Sequence, residues 1–351
     1  MWMRPDALMA FDVQEVRETL PRYIDVVLGR KKPLFRIAQS IRVHLKDDPW
    51  EAHEEGLQML KECLDECEHL GRGDGVSLLD LKVIIIKEIA RKCSLCEWGC
   101  GVNRLEGEIG VCRVTRPRVS SAFIHMGEEP PITPSGTIFF SGCNFRCVFC
   151  QNWDISQEPR AGKEVSPEEL ASIMDSLRYR GARNVNLVGG EPTPNLPYIV
   201  EALKHVKTDF PIVWNSNMYM SEATTRLLLG LVDLWLPDFK YWDDEHARKY
   251  SGIPRYRETV TRNLKIAYTL GEMVIRHLVL PGHVECCTIP ILRWISENVP
   301  NSLVNVMEQY RPEYKAYKYK EIARRPSKEE LRRAYEEADR LGLKWRFVSL
   351  F

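Results

Sequence analysis

From residue 135 onward the chain repeats one rhythm: a short apolar run, a polar or glycine-bearing loop, then enough residues for a helix. The runs are Thr137–Ser141, Asn184–Val188, Pro211–Asn215, Leu231–Leu236, Met273–Leu280 and Leu303–Met307. Antiparallel neighbours can be joined by two residues, but parallel neighbours need a crossover of a dozen or more. The spacing therefore predicts a parallel sheet with helical crossovers. Six strand–helix units fall short of the eight in a closed (β/α)8 barrel, so the expected fold is α/β with a partial (β/α)6 barrel. In such a fold the working groups sit just past the C-terminal ends of the strands. Two helices carry strong start signals. Ser166 with Glu169, and Ser327 with Glu330, form capping boxes, and Pro167 occupies a first helical position.

The residues before this rhythm differ. Residues 1–92 show apolar positions at helical spacing (Val13, Val16, Leu20, Tyr23; Leu57, Leu60, Leu64) and read as a helical N-terminal domain. Residues 93–134 are rich in cysteine, glycine and proline and read as a metal-binding module and connector. The partial barrel is assigned to 135–325, and a C-terminal helix and short strand (Lys344–Leu350) to 326–351. Lysine plus arginine and aspartate plus glutamate number 49 each, which gives no global case for a nucleic-acid or anionic-membrane partner. No apolar run approaches a membrane span, and the first residues turn acidic too early for a signal peptide. The expected location is cytoplasmic.

The eleven cysteines are unevenly spread. Cys143, Cys147 and Cys150 lie in Ser-Gly-Cys-Asn-Phe-Arg-Cys-Val-Phe-Cys-Gln-Asn, directly after the first strand. A closed structural zinc site takes four ligands, and a [4Fe–4S] cubane usually takes four cysteines. Three thiolates in one tight loop can hold three irons and leave the fourth open to a small molecule. Gly189-Gly190-Glu191-Pro192-Thr193 follows the second strand. Its glycines let backbone approach a ligand closely, and Glu191 supplies an anion that can pair with an ammonium. Cys93, Cys96, Cys100 and Cys112 form a second set among tight-turn glycines. Four cysteines suit zinc, while three close ones and a distant fourth suit a second [4Fe–4S] cluster, which is slightly favoured. Cys63 and Cys67, four apart, read as a half-buried helix pair, and Cys286-Cys287 as buried helix-start residues. Neighbouring cysteines do not easily address one metal.

The loop Cys143-x3-Cys147-x2-Cys150, with Phe149 before the third cysteine, resembles the signature of the radical S-adenosylmethionine (SAM) superfamily. The stretch from Cys93 to Arg113, followed by a loop ending Cys-Gln-Asn, is similar to the PflX-like branch, related to pyruvate formate-lyase activating enzymes. The resemblance runs from about 93 to 325. It implies a radical SAM partial barrel in which a [4Fe–4S] cluster on Cys143, Cys147 and Cys150 cleaves SAM reductively. The resulting 5′-deoxyadenosyl radical removes a hydrogen atom from substrate. It further implies that Gly189, Gly190 and Glu191 hold the methionine amino group and that Phe149 packs beside the adenine. Asn215 and Asn217 resemble positions near the ribose, and Arg276 is a candidate for the SAM carboxylate. The alternative for Arg276 is a buried pair with a protein aspartate. Asp238, Lys240, His283, Glu285, Gln309 and Tyr310 are further pocket candidates. The resemblance implies a reducing partner of ferredoxin or flavodoxin type and allows a protein or peptide substrate, as in glycyl-radical activation. One departure stands out: Gln151-Asn152 follows the third cysteine where the activating enzymes usually carry His-Asn. The competing readings are an iron–sulfur electron-transfer or sensing protein that does not cleave SAM, and a zinc-stabilised binding module.

Overall fold

The computed structural model describes residues 4–64 and 74–349. Six parallel strands form its centre: Ser135–Phe140 (β1), Asn184–Gly189 (β2), Ile212–Ser216 (β3), Leu234–Pro237 (β4), Glu272–Leu278 (β5) and Leu303–Met307 (β6). They pair in sequence order, each parallel to the next. Each is followed by a helix that returns the chain, such as Pro167–Tyr179 after β1 and Ile289–Asn298 after β5. Both capping boxes expected at Ser166 and Ser327 are formed. The α/β partial barrel is thus the observed architecture.

The sheet extends past β1 by an antiparallel strand, Arg118–His125, and then Lys163–Glu164. The first of these lies in the stretch read as connector. Two serines and a mixed burial pattern blur its alternation. At the other edge the expected strand Lys344–Leu350 is not formed. Lys344 makes a single bridge to Leu303, and Arg346–Ser349 is helical. The ring of Trp345 stacks on Tyr335, its indole N–H donates to Asp339, and Arg346 binds the same carboxylate. These contacts turn the chain away from the sheet.

The N-terminal helices close the barrel from the end where the strands begin. Val16, Leu20, Tyr23 and Ile24 form one buried cluster with the inward-facing Val213, Leu234, Val274 and Leu303. Two carboxylates fasten them. Glu272, at the start of β5, accepts the backbone N–H groups of Arg22 and Tyr23 at 2.7 and 2.8 Å. Asp233 accepts those of Leu34 and Ile212. Burial pushes the Glu272 carboxyl up to about 7 and the Asp233 carboxyl up to about 6. With this end plugged by apolar side chains, the polar interior faces the other end, where the strands finish.

Above the plug sits a buried polar layer. Arg276, inside β5, pairs with Glu128 and with Glu129, the latter at 2.6 Å. Asn305 on β6 donates to Glu129, and Asn186 on β2 to Glu128. Burial opposes the charge on Glu129, but the Arg276 guanidinium outweighs it and holds the carboxyl below its usual range. Arg276 is therefore already engaged by two carboxylates. Of the two readings of Arg276, the structure shows a buried ion pair, with two glutamates as partners instead of the aspartate expected.

Candidate functional site

Where β1 ends, the chain enters the three-cysteine loop. Gly142 has φ +86, and a Cβ there would run into Val114. A Cβ on Gly190 would collide with the carbonyl oxygen of Gly142, and one on Gly189 (φ +116) with the backbone of Phe140. The glycine motif after β2 therefore lies flat against the cysteine loop, an approach open only to glycine. The loop is also held from the far side. Arg146 N–H and Val148 N–H donate to the carbonyls of Ser251 and Tyr250, at the end of the helix Asp244–Ser251.

Each of the three sulfurs has its own hydrogen-bond partner. Cys143 Sγ accepts the N–H of Phe145 at 3.3 Å and lies 3.9 Å from Asn217 Nδ2. Cys147 Sγ is 3.0 Å from Ser251 Oγ, and Cys150 Sγ 3.2 Å from Ser156 Oγ. Burial, reinforced by mutual repulsion, pushes the Cys147 thiol up to about 11 and the Cys143 thiol well above its ordinary value. The Cys150 thiol is raised too, by burial first. Two buried sulfurs and a half-buried one that resist ionisation, yet have N–H and O–H groups beside them, suit a cationic cluster that would stabilise the thiolates.

Glu191 is 2 % exposed. Its carboxylate accepts from Thr193 Oγ1 and Ser216 Oγ, both at 2.6 Å, and from the Asn217 N–H at 3.0 Å. Burial raises its carboxyl in spite of these donors. Through them Glu191 links the end of β2 to the turn after β3. Asn217 in turn donates to Asn144 Oδ1, inside the cysteine loop, at 2.8 Å. Asn215 lies buried on the inner face of β3. The ring of Phe149 meets Tyr241 and Tyr310 edge-on, at centroid distances of 6.4 and 5.8 Å. Lys240 pairs with Asp238 at 2.6 Å. Burial opposes its charge, but Asp238 and the cysteine thiolates more than offset it.

The second cysteine set packs against the first. Trp98 Nε1 donates to the carbonyl of Asn144 at 2.9 Å, and Arg146 Nη2 to that of Val111 at 2.5 Å. Cys96 bridges to Met220, and Ser221 N–H donates to the carbonyl of Leu95. Within the set, Val111 N–H points at Cys100 Sγ (3.4 Å) and Arg104 at Cys112 Sγ (3.2 Å). Burial raises the thiols of Cys93 and Cys96. Among the described residues, no three of these four sulfurs lie within 4.8 Å of one another. A tetrahedral zinc site would hold its sulfurs about 3.8 Å apart. This set is more open than that.

Other expected pocket residues point elsewhere. His283 binds Tyr250 Oη, Glu285 pairs with Arg333, and Gln309 is exposed. Cys67 lies outside the described residues, and Cys63 is buried and disulfide-bonded rather than a free thiol. Cys286 is exposed and only Cys287 is buried, so the pair is not the buried one expected. Sequence reasoning passed over Ser251, Ser156, Ser216, Asn144 and Trp98. Only Asn144, between the first two cysteines, carried a local signal; the others reach the site through the fold.

Residues 137–295 match the family model of the radical SAM superfamily. The protein MJ0674 of Methanocaldococcus jannaschii is 41% identical over 338 residues, covering 92% of this chain and 98% of its own. The pyruvate formate-lyase-activating enzyme of Staphylococcus epidermidis is 27% identical over 169 residues, covering 41% of this chain and 61% of its own. Among solved structures, SuiB of Streptococcus suis bound to S-adenosylmethionine gives a TM-score of 0.43 at 17% identity, over 56% of this chain and 44% of its own. No helix among the described residues is long and apolar enough to cross a membrane.

Proposed function

The chain belongs to the radical SAM superfamily, and on that premise we propose that it cleaves SAM at a [4Fe–4S] cluster held by Cys143, Cys147 and Cys150, to abstract a hydrogen atom from a protein or peptide. When bound, such a cluster supplies one electron to the sulfonium of SAM, releasing a 5′-deoxyadenosyl radical. The observation that carries the reading is the trio of sulfurs, two buried and one half-buried, each with its own hydrogen-bond partner, beside a glycine backbone that no side chain could share.

The chain's own groups then divide the work. The backbone of Gly189 and Gly190 forms the wall against which the methionine end lies. Glu191 is proposed to orient that wall and the Ser216–Asn217 turn through its bound donors, while Oε2, which takes only the Asn217 N–H, is proposed to accept the methionine amino group. Phe149, wedged between Tyr241 and Tyr310, offers a ring edge to the nucleoside and keeps water from the sulfurs. Asn215 is assigned to the ribose. Lys240, beside Cys147 and Cys150, lowers the cost of the anionic sulfurs. Cys93, Cys96, Cys100 and Cys112 are proposed to hold a second metal group, and three close cysteines with a distant fourth favour a [4Fe–4S] cluster over zinc. The cysteine-rich stretch 93–112 is proposed to act as the second metal-binding unit, while Arg118–His125 joins the barrel sheet, and a ferredoxin- or flavodoxin-like reductant is the expected partner.

The test is anaerobic reconstitution with iron and sulfide, reduction, and mass spectrometry of 5′-deoxyadenosine formed with deuterated candidate peptides. Deuterium carried into the nucleoside identifies the substrate. A cluster that forms but never cleaves SAM would return the chain to the electron-transfer reading.

A further inference from the structure

Outside the cysteine loops, one group of side chains converges. Cys286 Sγ lies 4.0 Å and Cys287 Sγ 3.5 Å from His246 Nδ1, and the three atoms all fall within 4.8 Å of one another. Among the described residues no other trio of histidine, cysteine or carboxylate groups is so close. The convergence comes from an irregular backbone. Residues Val284–Thr288 form a π-helical turn, with Thr288 N–H reaching back to the carbonyl of His283. A regular helix would spread consecutive side chains by about 100°, and the wider π turn narrows that spread, so that both sulfurs reach the same histidine.

We propose that His246, Cys286 and Cys287 form a binding site for a thiophilic cation of the Zn²⁺ class. Zinc–sulfur bonds of about 2.3 Å and zinc–nitrogen bonds of about 2.05 Å in a tetrahedron set sulfur and nitrogen about 3.6 Å apart. The two observed separations bracket that value. Two thiolates and a neutral imidazole balance or nearly balance a divalent charge. The ring of His246 is set by an edge contact to His283 at 4.5 Å and by stacking on Tyr250. Cys286 is exposed, so the fourth position faces solvent. The site also ties the loop after β5 to the helix Asp244–Ser251, whose last carbonyls hold the three-cysteine loop. A bound ion would pin one end of the element that braces the other site.

Fully reconstituted holoprotein is titrated with Zn²⁺ against a chromophoric chelator, and with Co²⁺ while thiolate charge-transfer absorption is followed. The wild type is expected to bind one equivalent more than Cys286→Ser or His246→Ala, or to bind it at least ~100-fold more tightly. Cys286 is exposed and His246 half-buried, so both variants should keep the wild-type cluster absorption, which serves as the folding control. Equal stoichiometry and affinity in all three proteins overturns the site. So does recovery of the wild type with Cys286 and Cys287 joined as a disulfide that takes up no metal under reducing conditions.

Discussion

The two cysteine sets are neighbours, yet they are built in opposite ways. In the loop at 143–150 two sulfurs meet side chains from distant parts of the chain, Ser251 for Cys147 and Asn217 for Cys143, beside the local Phe145 N–H and Ser156 hydroxyl. In the set at 93–112 the partners are local, Val111 for Cys100 and Arg104 for Cys112. The first site exists only once the barrel has formed. The second is a glycine-turned cradle whose partners lie within twenty residues, so its shape is closer to a local property. The difference matches the roles proposed. A reactive cluster must be placed against a substrate pocket, whereas an auxiliary one need only be held.

The largest expected contrast comes from breaking one set at a time. Cys147→Ala should lower SAM cleavage to below about one-thousandth of wild type, read as 5′-deoxyadenosine by chromatography, because no part of the reaction survives without the cluster. Its melting temperature should change little. Cys96→Ala should do the reverse in stability, lowering the melting temperature by roughly 10 °C, since metal binding of this kind is coupled to folding. Iron should fall from about eight to about four per chain. Equal heat lability of the two variants would end the distinction between the sets.

The seam between them gives a smaller effect. Trp98→Phe removes the N–H donated to Asn144 while keeping an aromatic, though smaller, ring against Tyr219. A hydrogen bond of about 1 kcal/mol corresponds to roughly fivefold in rate. SAM cleavage should fall by that amount with iron content unchanged; loss of iron would mean the seam is structural for one set.

The least effect on chemistry is expected at the plugged end. Glu272 is raised to about 7 in the folded protein, against an ordinary 4.5. The folded state thus holds this proton more tightly than the unfolded chain. The stabilisation is complete below about pH 4.5 and is lost as the pH rises through about 7. Glu272→Gln lacks this dependence, so its thermal stability relative to wild type should rise across that window, by on the order of 1–3 kcal/mol. SAM cleavage at a fixed pH should stay at the wild-type level. A change in cleavage would mean that the plug and the cluster face are coupled.

Local chemistry made much of this legible. Apolar runs long enough for one strand each, and serine–glutamate pairs three residues apart, act over a few residues, so β1 to β6 and the helices starting at Pro167 and Lys328 could be read directly. The cysteine loop and the glycine motif could be singled out by their spacing and place after the strands, while their proposed roles come from the resemblance. Arg276 shows the limit. Its position in an apolar strand required a partner, but the partners, Glu128 and Glu129, arrive from nearly 150 residues away. Lys344–Leu350 has strand-like composition, yet Trp345 finds Tyr335 and the chain turns into a helix.

By itself the order of residues determined the α/β class, the strand ends that carry polar motifs, and the identity of the sulfur groups. Those depend on periodicity and spacing, which a chain carries whether or not it is folded. Only the tertiary structure decided which hydroxyl meets which sulfur, which neighbours bind Glu191, that Arg276 is spent on two glutamates, and that His246 stands beside Cys286 and Cys287. Those pairings join residues far apart in sequence, and they form only when burial of the surrounding apolar surface outweighs the entropy of bringing them together.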